Sequence, residues 1–354
     1  MSVGTFLPED VTVLLSDITG QIEPLPTKER ERRIQSGVHY SEMLPLEDKP
    51  SERYLQEYRR ALEEFSQDTA NAVMAVSEKI YAEKGPDVAL VSLARSGTPV
   101  GVLVKRYLKR KYGIDISHYT ISIVRGRGID KVAARYILSR HSRESIQFVD
   151  GWTGKGTILR ELRAAMAEFG GAINERKLLA VLADPANVTD MRGTHADIPI
   201  ASSFLNSTVC GLMSRTVIRP GIGAEEMHGV SVYSELSGGD RTYEFIDRIE
   251  NCIDICMDIM DVTDITNERG LDEVMKIAGE FGVADINFIK PGIGEATRVL
   301  LRRVPDMVLV AEGAEPRYIA HLVQLAKEKR VPTVTYPLKR YKACGIIKSL
   351  GADL

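Results

Sequence analysis

Apolar positions along the chain fall into distinct regimes. From Tyr54 to Ala82 they recur at three- and four-residue spacing (Leu55, Tyr58, Leu62, Phe65), which puts them on one helical face. Gly85-Pro86 ends that pattern. Val88 to Leu93 is then a short unbroken apolar run, the mark of a strand buried on both faces. After a turn bearing Gly and Pro, the pattern predicts a helix from about Val100 to Tyr112. Strands are predicted at Tyr119 to Val124, Ile146 to Asp150 and Leu178 to Leu182, with a helix at Ile158 to Phe169. Strands alternating with helices give a parallel sheet with crossovers. Ligands of such sheets sit beyond the carboxyl ends of the strands.

Residues 1–50 read as an irregular segment with a charged run, KERERR, at 28–33. Residues 183–265 are rich in Gly, Pro and polar positions, with a helix expected from Tyr243 to Met260. A helix, LDEVMKIAGEF, then opens a second alternating unit. It is expected to run helix (Gly294 to Leu301), strand (Met307 to Ala311), helix (Pro316 to Lys329), strand (Thr333 to Tyr336), helix (Tyr341 to Leu350). The predicted division is therefore 1–265 and 266–354.

Composition narrows the class. The 354 residues are 44% hydrophobic and 27% charged, which excludes a disordered or fibrous chain. No run of 18 apolar residues exists, so no membrane span is expected. No signal segment is read at the N-terminus, and four cysteines make no disulfide scaffold, so the expected location is the reducing cytoplasm. The net charge is −3, yet residues 286–354 carry 12 Lys+Arg against 6 Asp+Glu, a balance of +6, leaving −9 on the rest. A basic end on an acidic body suits an anionic partner such as RNA.

Two strand-to-helix turns carry candidate chemistry. The first is Arg95-Ser96-Gly97-Thr98-Pro99, where small residues let backbone N–H groups approach an anion and Arg95 adds a charged fork. The second is Asp150-Gly151-Trp152-Thr153-Gly154-Lys155-Gly156-Thr157. Its glycines permit unusual backbone angles, and Thr153, Lys155 and Thr157 are phosphate donors. Asp150, at the strand's end, can accept from sugar hydroxyls. The P-loop spacing is absent because Gly156 follows Lys155.

Together the turns resemble the type I phosphoribosyltransferases. The resemblance implies a ligand, phosphoribosyl pyrophosphate with Mg²⁺, and a base-like small molecule as acceptor. It implies that Asp150 holds the ribose, Thr153 to Thr157 (with Gly154, Lys155 and Gly156) the 5′-phosphate, and Arg95, Ser96, Gly97 and Thr98 the pyrophosphate. Arg125, Arg127 and Lys131, in the loop after the second strand, would close over the leaving group, whose charge such cations stabilise. Gly151 stands where the family has a second acid. Phe204 could stack on the base and Asn206 bond its edge. No protein metal site is expected.

The end of the chain resembles the L7Ae and Pelota class of RNA-binding domains. Gly292-Ile-Gly294-Glu295-Ala-Thr-Arg298, Val331-Pro332 and Ala343-Cys344-Gly345 carry the likeness. It implies RNA contacts at Gly292, Gly294, Glu295, Arg298, Lys339 and Arg340. The fold class expected is thus α/β: a type I phosphoribosyltransferase-like parallel-sheet domain plus a C-terminal L7Ae/Pelota-like α/β/α domain. Self-association into a homo-oligomer stays open.

The segments Phe6 to Leu15 and Ile34 to Pro45 extend the resemblance over nearly the whole chain. They are similar to bacterial proteins found beside tellurite-resistance genes and catalogued as the StiP cysteine-protease family. His39 and Tyr40 lie in the second segment. That name sets a protease against the transferase. A protease needs a thiolate, a His and an oxyanion hole, and Cys210 is the candidate, with His195 or His228 as partner. No papain-like or caspase-like signature surrounds a cysteine. The main expectation is a phosphoribosyltransferase with an RNA-binding tail. The alternatives are a cysteine protease and a non-catalytic regulator binding a phosphoribosyl ligand and RNA.

Overall fold

A computed structural model describes residues 3–170, 174–222, 226–256 and 269–349. The N-terminal part runs β1 (Thr12–Val13), β2 (Ser16–Asp17), α1 (Thr27–Gln35), α2 (Glu52–Lys84), β3 (Ala89–Ala94), α3 (Gly97–Tyr112), β4 (His118–Val124) and β5 (Gly128–Ile129). It continues α4 (Lys131–Leu138), β6 (Ile146–Trp152), α5 (Thr157–Glu168), β7 (Leu179–Ala183), β8 (Arg192–Thr194), β9 (Gly229–Val230) and α6 (Thr242–Glu250). The C-terminal part is α7 (Gly270–Glu280), β10 (Ile289–Pro291), α8 (Ile293–Arg302), β11 (Pro305–Ala311), α9 (Pro316–Glu328), β12 (Thr333–Tyr336) and β13 (Ala343–Ile347).

The expected parallel sheet forms, in the order β1-β4-β3-β6-β7-β8 with every neighbouring pair parallel, and β5 folds back antiparallel on β4. Strands β3 and β7 lie in apolar runs and β4 alternates polar with apolar residues, yet all three are buried almost throughout, as a sheet covered on both faces requires. The chain leaves β3 for β4 on one side and returns to β6 on the other. The β3/β6 boundary is therefore the switch point where such sheets open a crevice.

The C-terminal sheet has the order β10-β13-β11-β12 and mixes antiparallel and parallel pairs. One face lies under α7, where Val274, Ile277, Leu309, Tyr341 and Cys344 form a core of their own. The other carries α8 and α9, whose Ile293, Leu300, Leu322 and Leu325 join the same buried cluster as Tyr58 and Phe65 of α2. The two parts thus share one continuous core.

Three expectations change. The helix predicted at Tyr341 to Leu350 is a strand: residues 343–347 pair with β10 and β11 and are buried at every position. Gly345 allows that, since a Cβ there would lie 3.1 Å from Val299 of α8. The helix predicted from Tyr243 stops at Glu250, and its last part, 257–260, lies outside the described residues, as does the predicted 265/266 boundary. The N-terminal 50 residues are less irregular than expected, with α1 and the strands β1 and β2 joining the body. No helix among the described residues is long and apolar enough to cross a membrane.

Candidate functional site

A cavity of about 770 Å³ opens at the switch point, between the carboxyl ends of the parallel strands and the C-terminal part. Asp150, at the end of β6, accepts hydrogen bonds from Ser96 Oγ (2.7 Å) and the Gly151 N–H (2.7 Å), tying the two expected turns together. Burial raises its pKa. The turn 153–157 lines the cavity, with Gly156 in the left-handed conformation (φ 74°) that starts α5. Opposite stand His39 and Tyr40 from the N-terminal block. His39 Nε2 bonds the Arg125 carbonyl (3.0 Å), and the Tyr40 hydroxyl accepts from the Arg125 N–H (2.8 Å).

Other expected residues are committed elsewhere. Arg95 is buried and donates to the Met213 carbonyl (2.6 Å) and to Glu47 (2.8 Å), so its fork is spent on holding the fold. Gly97 packs on Val149, and Thr98 shares a buried hydrogen bond with Thr120 (2.6 Å). Arg127 pairs with Glu42, and Lys131 reaches Glu168 at 2.5 Å; neither lines the cavity. Of the four residues expected to act together, only Asp150 and Arg125 meet there. Phe204 is core, 3.9 Å from the His321 ring, and Asn206 accepts from Arg302. Among the described residues no three His, Cys, Asp or Glu side chains gather to hold a metal.

The expected RNA face turns inward. The Ile293 N–H, at the start of α8, donates to both Asp197 oxygens (3.0 and 3.1 Å), and Asp197 Oδ2 also accepts from the Lys342 N–H (2.8 Å). Burial pushes the Asp197 carboxyl up to about 6. A Cβ on Gly294 would meet the Trp152 ring at 2.6 Å, and the Arg298 guanidinium lies 4.2 Å from that ring's centre while pairing with Glu295 (3.1 Å). Gly292, Gly294, Glu295 and Arg298 are therefore used at the junction of the two parts. Lys339 is exposed, and Arg340 donates to the Pro185 carbonyl (3.0 Å).

Sequence reasoning missed three cavity cations: Arg215, Lys290 and Arg303. They come from separate segments with no motif in common. The C-terminal part also reaches over the phosphate-like turn. Lys155 Nζ donates to the carbonyls of Ile286 and Ile289 (2.8 Å for the latter), and the Tyr341 hydroxyl to the Gly154 carbonyl (2.6 Å). Burial, with Lys290 nearby, lowers the Lys155 ammonium to about 7.

The cysteines differ sharply. Cys344 lies inside β13, where burial pushes its thiol to about 12. Cys252 is half-buried and Cys256 exposed. Cys210 ends a short turn, Ser207–Val209, and the next two residues, Gly211 (φ 67°) and Leu212 (φ 58°), are both left-handed. A leucine there is strained, as residues at functional sites often are. Burial raises the Cys210 thiol, while the guanidiniums of Arg95, Arg298 and Arg302 pull the other way. The N-terminal segment straps this turn: the Thr5 N–H donates to the Gly211 carbonyl (3.0 Å), and the Leu7 N–H to the Tyr243 hydroxyl (2.7 Å). His228 is bonded to Ser122 (2.8 Å) rather than held for a thiol.

Residues 4–250 match the family described as tellurite-like stress resistance cysteine protease StiP, and residues 268–349 match the PELOTA RNA binding domain. A protein of Acinetobacter baylyi named Cysteine protease StiP is 37% identical over 367 residues, covering 98% of this chain and 94% of its own. No solved structure matches the chain. These matches overturn the phosphoribosyltransferase expectation, and with it the transferase and phosphoribosyl pyrophosphate vocabulary. A relative aligned over nearly the whole length bears a protease name, and the cysteine-protease alternative is the one they favour.

Proposed function

The chain belongs to the family described as tellurite-like stress resistance cysteine protease StiP, and we propose that it is a cysteine-dependent peptide hydrolase with Cys210 as nucleophile. The observation that carries the choice of residue is the turn that Cys210 ends, followed by the left-handed Gly211 and Leu212 and strapped by the N-terminal segment; the guanidiniums of Arg95, Arg298 and Arg302 offset part of the thiol's desolvation. Cationic surroundings favour the thiolate, which is the attacking form. The thiolate adds to a peptide carbonyl, the amine leaves with a proton, and water hydrolyses the thioester. Cys344 is a poor candidate because it lies within a strand at the centre of its sheet.

The test is iodoacetamide inactivation followed by mapping of the alkylated residue. Casein hydrolysis is expected to fall in step with carboxamidomethylation of Cys210. Cys210 is 4% exposed beneath the strap, so the reaction should be slower than at Cys256. Hydrolysis that survives full modification of Cys210 would exclude it.

The match of residues 268–349 to an RNA-binding domain supports a second role, RNA contact by the C-terminal part. Since the start of α8 is covered, that contact belongs on the outer surface bearing Lys339. Fluorescence anisotropy with a structured RNA should show affinity that falls with salt, and Lys339→Glu should weaken it several-fold. Equal affinity of wild type and variant would remove Lys339 from the interface.

A further inference from the structure

We infer that the cavity between the two parts is a binding site for a phosphate-bearing small molecule of about nucleotide size, held by Arg125, Lys155, Arg215, Lys290 and Arg302. This does not rest on the peptidase reading, and Cys210 plays no part in it.

The case is one of charge without counter-charge. Arg125, Lys155, Arg215, Lys290, Arg298, Arg302 and Arg303 all line the cavity, against the carboxylates of Asp150, Asp285 and Glu295. Arg298 is paired with Glu295, and Arg303 with Glu31 at 2.6 Å. The other five have no carboxylate at ion-pairing distance among the described residues. Arg125 is bonded to the Asn287 amide (3.1 Å), Arg302 to Asn206 and Lys155 to backbone carbonyls, while Arg215 lies 4.5 Å from the Tyr40 ring centre. Five such cations in a half-enclosed space repel one another and are poorly solvated. Lys290 shows the result: burial with Arg125, Arg303 and Arg215 nearby lowers its ammonium to about 8, despite Glu295.

A bound polyanion removes that penalty. The start of α5 adds its N–H groups from the same wall, where Thr157 lies. The volume, about 770 Å³, lies within the range of small-molecule sites and admits a nucleotide-sized ligand. Because the cations come from both parts of the chain, such a ligand ties them together.

The experiment is calorimetric titration of inorganic pyrophosphate into the full chain at pH 7, with sodium chloride at matched ionic strength as the blank. One-to-one binding is expected, weakened at least about tenfold in both Lys290→Gln and Arg215→Gln. Both ligand-free variants should melt at or above the wild-type temperature, because each removes a repelled charge, and pyrophosphate should raise the melting temperature of wild type by several degrees. No binding, binding of equal strength in both variants, or a marked fall in the melting temperature of either ligand-free variant would overturn the site.

Discussion

Cys210→Ala is expected to lower peptide hydrolysis by about a thousandfold or more while leaving the melting temperature within a few degrees of wild type. Removal of a nucleophile leaves only binding and charge stabilisation behind, and losses of this size or larger follow in enzymes that depend on it. The structural effect is small because a buried cysteine packs as a small apolar side chain, and alanine keeps its Cβ. The single alanine variants at Cys252, Cys256 and Cys344 supply the contrast. Each should retain hydrolysis. The pH profile adds a sign. Burial raises the Cys210 thiol above the ordinary value, so the thiolate fraction grows with pH and the rate should still be climbing above pH 8.5. Full activity in Cys210→Ala, with loss in another of the four, would move the nucleophile to that residue.

Much of the fold was legible because burial on both faces leaves a signature that needs no tertiary knowledge. Val88 to Leu93 and Leu178 to Leu182 read as strands for that reason and are strands to within a residue or two. Residues 341–350 misled because Ala343, Ile346, Ile347 and Leu350 also fall at helical spacing in the sequence, and only pairing with β10 and β11 decides for a strand. The site was legible in part. Asp150 and the glycine-rich turn follow from one continuous segment at a strand's end, and they do line the cavity. Arg95 shows what one segment cannot tell. Its neighbours suit an anion, but its actual partner is a carboxylate 48 residues away. Arg215 and Lys290 were invisible for the converse reason, being ordinary cations until the fold gathers them. The helix start at Gly292 was expected to contact RNA, and the Ile293 N–H there does bind an anionic group, but the group is Asp197 of the same chain.

The pair that displaced Arg95 from ligand binding carries the second large prediction. Glu47 accepts from Arg95 Nη2 (2.8 Å) and from the Ser207 N–H (2.9 Å), with both side chains of the ion pair less than a tenth exposed. Glu47→Ala leaves a buried guanidinium and a buried N–H without that acceptor, and breaking a buried pair from one side costs about 3–5 kcal/mol. Urea unfolding should show this as a lower midpoint with an unchanged slope. Burial opposes ionisation, but the Arg95 and Arg302 charges and the Ser207 hydrogen bonds together outweigh it and hold the Glu47 carboxyl below its ordinary value. The folded state therefore releases this proton more readily than the unfolded one. The stabilisation is present above the unfolded carboxyl pKa and is lost as pH falls through the lower folded value. Wild type should lose stability on acidification in that window, and Glu47→Gln should lose less. The same pair braces the turn before Cys210, since the Ser207 N–H it holds opens Ser207–Val209. Glu47→Gln keeps an acceptor for that N–H while removing the charge that offsets Arg95. It should leave the turn in place and expose Cys210 to a less neutralised guanidinium, so faster alkylation of Cys210 is expected in Glu47→Gln than in wild type at the same pH. Slower alkylation in that variant would mean that the Arg95 charge does not act on the thiol.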